Sequence, residues 1–100
     1  MAKKNENIIK FKTKSGIQIT LDKRVKDDTR LLLILADVQD KSKTPNEQIA
    51  LFKDLLDLFF GDGSRVFLNE VAAHHDGVAD FKSLMAEMND IFEALELKNS

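Results

Sequence analysis

Residue types that carry chemistry are present in this chain, but few of them are grouped. The densest group is His74-His75-Asp76, whose side chains are of the kinds that bind metals or transfer protons. Adjacent helical residues point about 100° apart, so the two imidazoles do not easily share one ion from within a helix. We therefore expect both histidines to be structural, at a helix C-terminus whose negative dipole end suits them.

The other candidate groups are weaker. We expect the acids of the last predicted helix to coat its solvent side rather than converge as a catalytic dyad: Glu87, Asp90, Glu93 and Glu96. The serines fall in turn, cap or surface contexts: Ser15, Ser42, Ser64 and Ser83. The segment 61–64, Gly-Asp-Gly-Ser, lacks the length and the lysine of a phosphate loop. The sequence thus predicts no catalytic residue, no metal ligand and no cofactor, and indicates that the protein is not an enzyme.

Composition restricts the setting. The chain of 100 residues has the size of one domain and contains no cysteine, which excludes disulfides and fits a reducing compartment. It has no apolar run of membrane-spanning length, and its first residues lack the apolar segment of a secretory signal. We expect a cytoplasmic protein that does not contact a membrane.

Charge is unevenly distributed. Residues 1–26 contain eight Lys or Arg and two acids, whereas residues 27–100 contain seven Lys or Arg and fifteen acids. A basic arm on an acidic body is compatible with nucleic-acid binding. However, the lysines fall on the outer face of a predicted strand pair, where charges protect sheet edges, and no aromatic stacking set accompanies them. The pattern disfavours a nucleic-acid partner.

The strongest structural signal is a helix over residues 45–60. Thr44 and Glu47 form a capping-box pattern, Pro45 occupies the first helical position, and Gly61 supplies a stop. Its apolar residues cover more than half of the circumference: Ile49, Leu51, Phe52, Leu55, Leu56, Leu58, Phe59 and Phe60. We predict that this helix is central and is covered on more than one face, by its own chain or by another chain.

The N-terminal pattern predicts a hairpin over residues 8–21. A three-residue loop with Gly16 in the left-handed conformation pairs Thr13 with Ile17. The same register places Phe11 opposite Ile19 and Ile9 opposite Leu21 on one dry face. Two strands alone are marginally stable, so this face is expected to pack on helices.

Three further helices are predicted, at about 27–41, 64–75 and 79–97. An aspartate at 27 or 28 begins the first, Ser64 caps the second, and the last carries an apolar stripe with i, i+3, i+4 spacing. Residues 1–7 are expected to be a flexible N-terminus and residues 98–100 a tail. The predicted fold is α+β and mainly α, a single domain over 8–97 in which the hairpin packs on a bundle of about four helices.

These features together resemble a known family. The hairpin has the form Ile-x-Phe-x-x-x-x-Gly-x-x-Ile-x-Leu over 9–21, followed by Leu-Ala-Asp-Val-Gln-Asp at 35–40. A Leu-Phe-x-Asp-Leu-Leu-x-Leu-Phe-Phe-Gly-Asp-Gly helix spans 51–63, and His-Asp-Gly-Val follows at 75–78. The pattern Phe-x-x-Leu-Met-x-Glu-Met-x-x-Ile-Phe-Glu-Ala-Leu closes the chain over 81–95. Over nearly its whole length the chain resembles the small tail assembly chaperones of long-tailed bacteriophages and prophages.

The resemblance implies a non-catalytic function. Such chaperones bind the helix-rich tape measure protein, keep it soluble and help recruit the major tail tube protein in the host cytoplasm, and they are absent from the mature virion. A chaperone needs apolar surface to offer, and Leu51, Leu58 and Phe60 exceed what one bundle core requires. We predict these three residues as partner contacts. The alternative is that the hairpin and helices cover them, and homo-oligomerisation through the central helix is also open.

The family often makes a longer form by ribosomal frameshifting near the stop codon. Leu97-Lys98-Asn99 can be encoded as UUA AAA AAC, which contains a slippery heptamer. Two alternative functions stand beside the chaperone. One is a small helical adaptor or antitoxin-like module that binds another protein, and the other is a DNA-binding regulator that uses the basic hairpin.

Overall fold

The computed structural model describes residues 7–97 and contains a two-stranded antiparallel sheet followed by four α-helices. The elements are β1 Ile8–Lys12, β2 Gln18–Asp22, α1 Thr29–Val38, α2 Pro45–Phe60, α3 Ser64–Ala73 and α4 Phe81–Ala94. This architecture confirms the predicted mainly helical α+β fold with an N-terminal hairpin. Two predicted segments lie outside the described residues: the flexible N-terminus 1–7, apart from Asn7, and the 98–100 tail. Lys98 and Asn99 of the frameshift hypothesis lie outside them as well.

The hairpin has the predicted register. Phe11 pairs with Ile19 and Ile9 with Leu21, while Lys10 and Lys12 face Thr20 and Gln18 on the other side. The three-residue loop is closed by the amide of Thr13, which donates to the carbonyl of Ile17 at 2.9 Å. Gly16 has a φ of 102°, a conformation that most side chains disfavour. Turn geometry and alternation therefore fixed the register, as the sequence predicted.

One hydrophobic core receives side chains from the hairpin and from all four helices. Its buried members are Ile17, Ile19, Leu21, Leu31, Phe52, Leu55, Leu56, Phe67, Val71, Met88, Ile91 and Leu95. The helix α2 lies centrally: it packs on α1 and α3, and its aromatic rings reach both α3 and α4. The ring of Phe60 stacks on that of Phe67 at 4.6 Å, and the ring of Phe52 meets that of Phe81 edge-on at 5.4 Å. The dry face of the hairpin thus covers the same core that α2 organises.

The ends of α2 follow the predicted chemistry. The Glu47 amide donates to the Thr44 hydroxyl at 3.2 Å, and the Thr44 amide donates to the Glu47 carboxylate at 2.8 Å, which completes the capping box. The helix ends at Gly61, whose φ of 56° and ψ of −125° suit glycine alone. Both ends are therefore set by local sequence.

The other helices are shorter than predicted. Helix α1 begins after Asp28, whose carboxylate caps the amide of Arg30, and residues 23–27 form a short 3₁₀ helix rather than a plain link. Helix α4 begins after Asp80, which caps the amide of Ser83. At their C-termini α1, α3 and α4 stop two or three residues early, because the last predicted residues form turns instead of continuing the helix.

The prediction that Ser64 caps α3 is wrong. Ser64 already has helical dihedral angles, and Gly63 occupies the cap position without a side-chain hydrogen bond. The Ser64 hydroxyl instead donates to the Asp57 carboxylate at 2.8 Å, across the corner between α2 and α3. Because Gly61-Asp62-Gly63 forms a single 3₁₀ turn, α3 starts almost directly after α2 and no free capping residue remains between them.

Candidate functional site

A polar cluster joins the hairpin loop to the helices, and its centre is Glu87. This side chain is only 2% exposed. Its Oε2 accepts a hydrogen bond from the Ser15 hydroxyl at 2.6 Å and lies 2.6 Å from Nε2 of His75. Because a carboxylate only accepts, His75 carries a hydrogen on Nε2. Residues from β1–β2, the α3–α4 turn and α4 thus meet at one oxygen atom.

We call this polar cluster around Ser15, His75 and Glu87 the loop cluster. Two neighbouring contacts strengthen it. The Lys14 amide donates to the Asp90 carboxylate at 2.8 Å. Nδ1 of His74 lies 3.2 Å from the carbonyl oxygen of Ser15, so it donates to that acceptor. The two histidines at the end of α3 therefore bind different partners: His74 binds the hairpin loop, and His75 binds Glu87 of α4.

The position of Glu87 corrects the sequence interpretation, which placed it on the solvent side of α4. At 100° per residue Glu87 lies only about 40° from Ile91, beside the apolar stripe and not opposite it. Asp90, also predicted on the solvent side, is half-buried by its contact with Lys14. The helical position of Glu87 was readable from the sequence, but its partner Ser15 lies 72 residues away, and only the fold brings the two together.

The environment of Glu87 acts on its charge in opposite directions. Burial raises the pKa of its carboxyl, but the nearby hydroxyls of Ser15 and Thr13 and the imidazole of His75 together hold that pKa below its usual value. The carboxylate is therefore charged at neutral pH. Its second oxygen, Oε1, is buried with no hydrogen-bond partner among residues 7–97.

Serine, histidine and glutamate are also the residue types of a hydrolytic triad, but their order of contact differs here. In a triad the serine donates to the histidine, which takes its proton. Here Ser15 and His75 both donate to the same carboxylate oxygen of Glu87. Within residues 7–97 no group of three or more His, Cys, Asp or Glu side chains is placed to hold a metal ion. The loop cluster is arranged to anchor the hairpin.

The second candidate is an apolar groove between α2, α3 and α4, with a volume of about 630 Å³. Its floor is formed by Phe52, Leu56, Leu68 and Leu84. Ile49 and Phe81 stand at its edge, where they are 55% and 39% exposed. A concave surface lined by apolar side chains, some of them exposed, is typical of a site that binds another molecule. We call this surface the α2–α3–α4 groove.

Charged residues surround the α2 end of this groove. Nζ of Lys53 lies 3.1 Å from Asp57, one helical turn along α2. The hydrogen bond from the Ser64 hydroxyl, followed by that from Lys53, lowers the pKa of the Asp57 carboxyl. Asp62 and Arg65 also line the groove. The groove is therefore apolar along its floor and mixed in charge along this rim.

A smaller groove lies on the other side of α2, against α1. It is lined by Leu33, Ile34 and Leu58, together with Arg30, Asp54 and Asp57, and has a volume of about 610 Å³. Leu33 is 63% exposed. We call this surface the α1–α2 groove. The exposed side chains of Lys53, Asp54 and Asp57 on α2 separate the two grooves.

The three predicted partner contacts lie in different settings. Leu58 lines the α1–α2 groove and also packs against the core, while Leu51 is half-buried one helical repeat earlier on α2. Phe60 stacks on Phe67 and packs against the core. The structure does not gather them into one surface. Ile49 and Leu33, which the sequence interpretation did not select, are the more exposed apolar positions.

The outer face of the hairpin carries two exposed lysines, Lys10 and Lys12.

Within residues 7–97 no helix is long and apolar enough to cross a membrane. Comparisons of the chain with protein-family models, with curated proteins and with solved structures found no match.

Proposed function

We propose that this protein is a tail assembly chaperone of a long-tailed bacteriophage or prophage, which binds the tape measure protein and helps recruit tail tube subunits without catalysing a reaction. The proposal begins from the resemblance of the hairpin and helix motifs over residues 9–95. The observation that carries it is the open α2–α3–α4 groove with Ile49 and Phe81 exposed at its edge. Such a groove accepts one face of an amphipathic helix, and a helix-rich client offers many such faces.

The groove is formed in the unbound protein. Ile49 and Phe81 are partly exposed while the floor residues Phe52 and Leu56 belong to the core, so the groove is formed before any client arrives. A preformed groove avoids the ordering cost that weakens binding by flexible segments. Leu51, Leu58 and Phe60 remain predicted contacts, although none of them lines this groove.

Co-expression with the cognate tape measure protein tests this proposal. We expect the chain to keep that protein soluble and to co-purify with it. Ile49→Asp places a charge in the groove without disturbing the core, and we expect it to lose most of the retained protein. Val66→Asp is the matched control, because Val66 is 64% exposed and lines neither groove. Equal retention by both variants, or no retention by the native chain when both proteins are soluble, would reject the proposal.

An adaptor or antitoxin-like module is the second candidate, and it would use the same groove. The identity of the protein that co-purifies from the native host distinguishes the two functions. A DNA-binding regulator would instead use the exposed lysines 10 and 12. That function requires salt-sensitive binding to duplex DNA, which a gel shift at low salt detects.

A further inference from the structure

The α1–α2 groove differs from the α2–α3–α4 groove in its charge. Arg30 is the cation that lines it, and its guanidinium binds the Asp28 carboxylate through Nε at 3.0 Å and Nη2 at 2.7 Å. Arg30 therefore already has a carboxylate partner within the chain. The hydrogen bond from the Arg30 side chain lowers the pKa of the Asp28 carboxyl.

The carboxylates of the groove are less fully compensated. The Asp57 carboxylate forms an ion pair with Lys53 and accepts a hydrogen bond from the Ser64 hydroxyl. Asp54, one turn earlier on the side facing α1, forms no ion pair or side-chain hydrogen bond with any residue of 7–97. Once the pairs Arg30–Asp28 and Lys53–Asp57 are set aside, the groove retains one free negative charge beside exposed Leu33.

We infer that the α1–α2 groove is a second docking surface, distinct from the groove assigned to the tape measure protein, and that its occupant is a basic amphipathic helix. Leucine-sized side chains of that helix cover Leu33 and Leu58. A lysine or arginine on its flank meets Asp54. The charge balance selects a basic partner over an acidic one, because an acidic helix would bring like charge against Asp54 in a groove with no free cation among the described residues.

Two of the predicted partner contacts, Leu51 and Leu58, lie on the side of α2 where this second groove is found. Both lie on the side of α2 that is directed toward α1, one heptad apart, and Leu58 lines the groove itself. With one groove on each side of the exposed α2 residues, a single copy of the chain can hold two helical segments at once.

Two synthetic peptides test the inference without any assumption about the natural partner. They share one length and one leucine stripe, and their polar face is lysine in one and glutamate in the other. We expect the Leu/Lys peptide to bind at least about fivefold more tightly than the Leu/Glu peptide, with affinity falling as salt rises. Equal affinity, preference for the Leu/Glu peptide, or no binding of either peptide would overturn the inference.

Variants locate the site. Asp54→Lys and Leu33→Asp should each weaken binding of the Leu/Lys peptide about fivefold or more. Asp37→Lys makes the same charge change at an exposed acid of α1 that lines neither groove, and it should bind like the native chain. Ile49→Asp alters the other groove and should weaken binding of the Leu/Lys peptide less than Leu33→Asp does. Loss of binding in Ile49→Asp but not in Leu33→Asp would assign the peptide to the α2–α3–α4 groove and overturn the inference. Because the peptide assay contains no tape measure protein, its outcome is separate from that of the chaperone proposal.

Discussion

Glu87 shows how one residue couples distant parts of this chain. Its buried carboxylate accepts hydrogen bonds from Ser15 of the hairpin loop and His75 of the α3–α4 turn. The sequence indicated that His74 and His75 stand at a helix C-terminus, which is where the structure places them. It did not indicate the role of Glu87, because an acid at the edge of an apolar stripe is usually solvated and its partner was set by the fold.

Removal of the Glu87 carboxylate should destabilise the protein. Glu87→Ala leaves Ser15 and His75 without their acceptor and opens a buried gap, so we expect a loss of about 2–3 kcal/mol in the free energy of unfolding. Urea denaturation measures this change. Glu93→Ala, at an exposed position of the same helix, should change stability by less than about 0.5 kcal/mol. Equal effects of the two substitutions would show that the loop cluster contributes nothing.

The lowered pKa of Glu87 predicts a specific pH dependence. A carboxyl whose pKa is lower in the folded state stabilises the protein above its ordinary pKa, and this contribution disappears as pH falls through the folded value. The difference in unfolding free energy between the native chain and Glu87→Gln should therefore shrink below about pH 4. Denaturation series between pH 5 and pH 3 measure the difference. A difference that grows as pH falls would contradict this account.

At the scale of elements, local signals predicted what local physics determines. The capping box of Thr44 and Glu47 and the hairpin register around Gly16 depend on residues close in sequence, and both were predicted correctly. Ser64 was misassigned because its hydroxyl is taken by Asp57, an interaction that exists only once α3 folds back on α2. Helix ends were extended too far because periodicity does not show where a turn begins.

The capping box offers a test at this scale. Thr44→Ala removes the acceptor for the Glu47 amide, and we expect a loss of about 1 kcal/mol in unfolding free energy. Thr44→Ser keeps that acceptor and should change stability by only a few tenths of a kcal/mol. Thermal and urea denaturation of the two variants measure the difference. If serine and alanine are equally destabilising, the cap does not hold the start of α2.

The hairpin should contribute to the core as strongly as a helix does. Ile19 is buried in the common core, so Ile19→Ala should cost about 2–4 kcal/mol in unfolding free energy. Thr20→Ala, on the outer face of the same strand, is the control and should have a small effect. Similar small losses for both variants, measured by urea denaturation, would mean that the hairpin is only loosely attached.

For the whole molecule, the sequence predicted the fold class and the central position of α2, because the apolar surface of that helix is too wide for one neighbour. The grooves were not predictable. Whether Ile49 and Leu33 are covered or exposed depends on how α1, α3 and α4 pack beside α2. Hydrophobic periodicity does not specify those packing angles. Leu58 and Phe60 were predicted as partner contacts because of their excess hydrophobicity, but both pack against the core. The most exposed apolar side chains lie at other positions.

The central claim is that the α2–α3–α4 groove holds a helix of the tape measure protein. The most direct measurement places a photo-crosslinking amino acid at position 49 or at position 66, in cells that express the native gene cluster, and identifies the crosslinked protein by mass spectrometry. We predict that position 49 crosslinks to helical segments of the tape measure protein and that position 66 does not. Equal crosslinking at both positions, or capture of an unrelated protein at position 49, would contradict the account.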